Sequence, residues 1–86
     1  MSWEQNRVGK VFHYFPQPQV AAIKLEATLT VGDKIRILGA NTDLQVHVAS
    51  MQIEHQPVER AGPGDEVGVN VPDRVRPNDL VYKVMG

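Results

Sequence analysis

The sequence predicts an all-β fold, a small barrel or sandwich, and three observations predict it. Six short segments carry alternating or β-branched apolar residues, Gly, Pro, Asn or Asp separates them at intervals of roughly ten residues, and no stretch sustains a helical period. At 86 residues the chain is expected to be a single domain over 1–86, with 1–6 a loose N-terminal segment. Such a chain buries about 60–65% of its unfolded surface, enough for one modest core. A hydrophobic fraction of 42% and a charged fraction of 22% are ordinary globular values and argue against disorder. The absence of cysteine excludes a disulfide framework, a thiolate nucleophile and cysteine-based metal sites.

Taken in order, Val8 to Phe15 is aromatic and β-branched and is closed by Pro16 and Pro18. Val20 to Leu25 sets Ile23 and Leu25 on one face and Lys24 on the other. Lys34 to Leu38 sets Ile35 and Ile37 against Lys34 and Arg36. Leu44 to Ile53 is longer, and its apolar phase changes: Leu44, Val46 and Val48 share one parity, Met51 and Ile53 the other. A strand keeps both sets inside only with a bulge or sharp bend near Ala49 and Ser50, a device that lets one segment serve two sides of a barrel. Residues 54–62 have room for one helical turn at most, because Pro57 interrupts them. Glu66 to Val71 alternates strictly around Val67, Val69 and Val71, and Leu80 to Val84 puts Leu80, Tyr82 and Val84 in phase.

One pattern occurs three times. Gly32-Asp33, Gly64-Asp65 and Asn78-Asp79 each precede an apolar alternation. Glycine or asparagine takes up the positive φ of a tight turn, and the following aspartate bonds nearby backbone N–H groups, so the repeat reads as turn chemistry rather than catalysis.

The net charge of −1 hides a division. Residues 7–38 carry five basic and two acidic side chains, residues 43–73 one basic and six acidic, and residues 74–86 three basic and one acidic. A polarised surface of this kind bears on partners. The N-terminus lacks an apolar signal region and no run approaches the ~18 apolar residues of a membrane span, so no membrane association and a cytoplasmic location are expected.

The segments LTVGDKIRILG from Leu29, VASMQI from Val48, AGPGDEVGV from Ala61 and PNDLVYKV from Pro77 together resemble the second domain of translational GTPases of the elongation factor Tu type. The likeness covers residues 7–85 and is similar to small stand-alone elongation-factor-like proteins; similar barrels also sit at the C-terminus of some U32 peptidase-family proteins. The resemblance implies a closed six-stranded Greek-key β-barrel. Asn78 departs from it, standing where glycine is usual. A phosphate loop is missing, because Gly9-Lys10 runs into Val11 without the spaced glycine and hydroxyl residue that hold phosphates. Neither GTPase activity nor a nucleotide cofactor is expected.

The function expected on this basis is accessory binding of RNA, transfer or ribosomal, without catalysis. If residues 20–38 form a hairpin, Lys24, Lys34 and Arg36 point outward along one strip, and His13 and Tyr14 add stacking surfaces. The alternative is docking of a ribosomal or translation-associated protein on the acidic stretch, through Glu54, Glu59 and Asp65, with Trp3 as an exposed aromatic. His13, His47 and His55 fall short of the three or four convergent ligands that zinc requires, so no metal and no other cofactor is expected. Ser50 lacks the glycine elbow of a nucleophilic serine.

Overall fold

The computed structural model describes residues 6–84; Trp3 and most of the expected loose N-terminal segment lie outside them. The fold is all-β. Its strands are β1 (Arg7–Phe15), β2 (Val20–Leu25), β3 (Leu29–Thr30), β4 (Lys34–Gly39), β5 (Thr42–His47), β6 (Met51–Ile53), β7 (Gln56–Val58), β8 (Arg60–Ala61), β9 (Glu66–Asn70) and β10 (Leu80–Val84). Eight of them form one sheet in the order β5-β4-β10-β1-β2-β9-β6-β7, and β3 pairs with β8 in a second, two-stranded sheet. Every pairing is antiparallel.

The expected closed six-stranded barrel is corrected in two respects. Three further short strands, β3, β7 and β8, are present, and among the described residues no ladder joins the edge strands β5 and β7. The segment 44–53 explains the difference. It breaks where its apolar phase changes, so β5 pairs with β4 while β6 pairs with β7 and β9. Only residues 48–50 separate β5 from β6, which stand near opposite ends of the sheet order. A link this short spans about 14 Å at most, so the sheet curls until its ends approach.

Residues 54–62 hold no helical turn. Glu54 and His55, at φ 50° and 67°, form a two-residue turn that pairs Ile53 with Gln56. Positive φ at both central positions is the primed geometry whose twist matches a hairpin. Pro57 is tolerated because β7 is an edge strand, with no further neighbour awaiting its missing N–H.

The inward faces meet in one apolar cluster that includes Val8, Val11, Ile23, Leu25, Leu29, Ile35, Ile37, Val48, Val67, Val69 and Val81. The three Asp turns fasten this interior. Thr30 N–H donates to Asp33 Oδ2, Gly62 N–H to Asp65 Oδ2 and Arg76 N–H to Asp79 Oδ2, each at 2.9 Å. Gly32, Gly64 and Asn78 sit at φ 102°, 91° and 77°. Each turn then clasps one buried residue by two backbone bonds. Gly32 N–H donates to the Val48 carbonyl at 2.8 Å and Val48 N–H returns to Asp33 at 2.9 Å; Gly64 and Asp65 hold Leu25, and Asn78 and Asp79 hold Val11, in the same way. The first clasp carries the β4–β5 register one pair beyond Lys34 and His47 and so fixes the start of the link between β5 and β6.

Candidate functional site

The outer face of β1, β2, β9 and β6 carries an open groove of about 740 Å³. Its first wall is made by a bulge. Val11 pairs with Ile23 and His13 with Ala22, which leaves Phe12 as the inserted residue of β1. Phe12 and Phe15 are each 45% exposed, an unusual position for side chains of their size. The floor is low because its residues are small. Directly paired residues of antiparallel strands share a face, so Phe15 lies with Val20 and His13 with Ala22 on the outer side. Val20 and Ala22 are buried without belonging to the interior cluster. Gly68 completes the floor opposite Ala22 and Gln52; a Cβ there would press on the Val20 and Gln52 side chains at 3.1–3.2 Å. Ile53 and the Glu54-His55 turn form the second wall, and Asp65 and Glu66 lie on the rim.

The electrostatics of the groove are one-sided. Its lining holds Glu54, Asp65 and Glu66 and neither lysine nor arginine. Asp65 is partly engaged by Gly62 N–H, and Glu66 meets Lys24 Nζ at 3.5 Å with both side chains more than half exposed. Glu54 makes no ion pair among the described residues.

The expected basic strip does not assemble as a hairpin. β2 and β4 are separated by β1 and β10 in the sheet, and the chain between them enters β3 to pair with β8. Lys24 faces Glu66 across the β2–β9 ladder. Arg36 holds Asp43 through two bonds of 3.0 and 3.1 Å, and this pairing, chiefly its hydrogen bond, lowers the Asp43 pKa from the ordinary carboxylate value. Lys34 is exposed at the start of β4. His13 and Tyr14, being consecutive in β1, turn to opposite sides: the His13 ring stands edge-on to Phe15 at 4.4 Å, while Tyr14 packs against the core. Of the acidic residues proposed for docking, Glu54 and Asp65 come together at the groove, and Glu59 lies between β7 and β8. The sequence pattern missed Phe12 and Phe15. Their signal was the pair of phenylalanines bracketing His13 and Tyr14, which leaves an aromatic residue on each face of one short strand.

No three His, Asp or Glu side chains converge as metal ligands among the described residues. Among the described residues there is no helix long and apolar enough to cross a membrane. Ser50 is exposed in the link between β5 and β6.

No family model matches the chain. An uncharacterized protease of Methanocaldococcus jannaschii is 41% identical over 76 residues, 87% of this chain and 19% of that protein. A collagenase of Porphyromonas gingivalis is 34% identical over 82 residues, 93% of this chain and 23% of its own length. The chain thus spans about a fifth of the length of these curated relatives. Among solved structures, the C-terminal domain of a Geobacillus thermoleovorans protein assigned to the U32 peptidases superposes with a TM-score of 0.87 at 17% identity, over 99% of this chain and 98% of that one. Elongation factor 1-alpha of Picrophilus torridus is 42% identical over 43 residues only, half of this chain.

These matches correct the translation-factor resemblance. The likeness to an elongation factor covers half of the chain, whereas the likeness to the proteases and to the U32 C-terminal domain covers 87–99% of it. The accessory RNA role, and the alternative of docking a ribosomal or translation-associated protein, rested on that resemblance and are withdrawn with it.

Proposed function

We propose that the chain is a non-catalytic accessory domain of U32 peptidase-type proteins, working by binding polypeptide rather than by cutting it. The observation that carries this reading is the sequence match to the M. jannaschii protease, which takes in most of this chain and less than a fifth of the protease. A shared portion of that size is a domain added to a larger body. The near full-length superposition on a U32 C-terminal domain supports the same reading at the level of fold.

The physical features agree. Acid–base and nucleophilic catalysis need convergent groups in a site that excludes water, and this fold spends its interior on aliphatic side chains. Its one-sided groove offers apolar walls and an acidic rim, which suit recognition of polypeptide. The near approach of the sheet ends, forced by the three-residue link between β5 and β6, supports a barrel-like body.

The reading is tested by incubating the purified chain with heat-denatured collagen and counting new N-termini. None should form at any ratio of chain to substrate. Appearance of new termini that scale with the chain, and survive its repurification, would overturn the non-catalytic assignment.

A further inference from the structure

We infer that the groove between Phe12, Phe15 and the Glu54-His55 turn takes an extended polypeptide segment in which apolar side chains are flanked by lysine or arginine. This names the class of polypeptide recognised and rests on the reading above only in calling the domain accessory; the groove stands on its own geometry.

Each part of the occupant follows from the lining. The two phenylalanines present nearly half their surface, and aromatic side chains in that position anchor apolar partners at interfaces. Ala22 and Gly68 keep the floor low between two raised walls, so an elongated ligand lies along the trough instead of resting on a flat sheet. Glu54, Asp65 and Glu66 ring it without a compensating lysine or arginine in the lining. Such a rim attracts a basic segment and repels an acidic one. Lys24 is the existing partner of Glu66, at 3.5 Å and largely exposed, an arrangement that an incoming lysine or arginine displaces at little cost.

The test uses a labelled ten-residue peptide with phenylalanine and leucine between two lysines in a glycine–serine frame. Two controls replace the lysines by glutamate, or the apolar pair by serine. Binding is followed by fluorescence anisotropy and by backbone NMR shifts at 20 and 300 mM salt. The lysine peptide should bind best, weaken at the higher salt, and move the resonances of Phe15, Ile53 and Gly68. Truncating the anchors in Phe12→Ser/Phe15→Ser should cost about tenfold in affinity, the order expected for interface hot spots. Glu54→Lys should narrow the preference for the lysine peptide over the glutamate peptide, and an unchanged melting temperature in both variants keeps the result interpretable because all three residues are exposed. Equal affinity for the lysine and glutamate peptides, shifts confined to another face, or a groove occupied by a second copy of the chain in sedimentation would each overturn the proposal. Peptide cleavage would instead overturn the non-catalytic reading, leaving the groove assignment in place.

Discussion

The three aspartates that close the repeated turns make the same bond in different surroundings. Asp79 is 4% exposed, whereas Asp65 is open to solvent. Losing a buried acceptor strands the Arg76 N–H, while water replaces an exposed one. Asp79→Ala is therefore expected to cost about 1–3 kcal/mol and Asp65→Ala at most about 1 kcal/mol, with chemical denaturation as the measure. Equal costs would show that the clasps do not depend on the carboxylates. Asp43 provides a pH prediction. Its folded-state pKa lies below the unfolded value because of Arg36, so the stabilisation by this pair is present above the ordinary carboxylate range and is lost as pH falls through the lowered folded value. NMR titration should find Asp43 below an ordinary aspartate in the protein and return it upward in Arg36→Met. These turns were legible in sequence, since positive φ and a following aspartate are local properties. The partner of Arg36 was not, because Asp43 belongs to the strand paired across from it.

Alternation predicts an element well when the element is long enough to show a period. β2 and β10 match the expected bounds, Val20–Leu25 and Leu80–Val84. The phase change after Val48 correctly located the break between β5 and β6. The pairs at β3 and β8 contain two residues each, too few for any period. β7 was hidden by Pro57 and by a turn lacking the usual Asn-Gly. Glu54 and His55 both occupy positive φ at a conformational cost, so replacing them by Asn-Gly should raise stability by about 0.5–1 kcal/mol. Calorimetry decides this; a fall in melting temperature would mean that the two side chains contribute more than their backbone strain costs. The groove was illegible for a related reason. Its walls come from β1 and from the β6–β7 turn, about forty residues apart, and an inserted residue in β1 sets the aim of one wall. The basic strip failed on topology, since residues 20–38 were expected to pair with themselves and instead leave the sheet at Leu29.

At the scale of the whole molecule, the sheet curls around one aliphatic core, and the short link through Val48 between β5 and β6 draws its two ends toward each other. Val48→Ala, which removes about two methylenes from a fully buried joint, should cost roughly 2 kcal/mol. The interior is thereby committed to packing, and the groove lies on the outer face. On the proposed function, recognition belongs to this groove and catalysis to the larger body of the protein. The most direct test replaces the matching segment of the P. gingivalis collagenase with this chain and, separately, deletes it, measuring cleavage of denatured collagen across substrate concentrations. Deletion should raise KM with little change in kcat, and the graft should restore KM. Loss of kcat on deletion, with KM unchanged, would contradict a domain that binds substrate and takes no part in the chemical step.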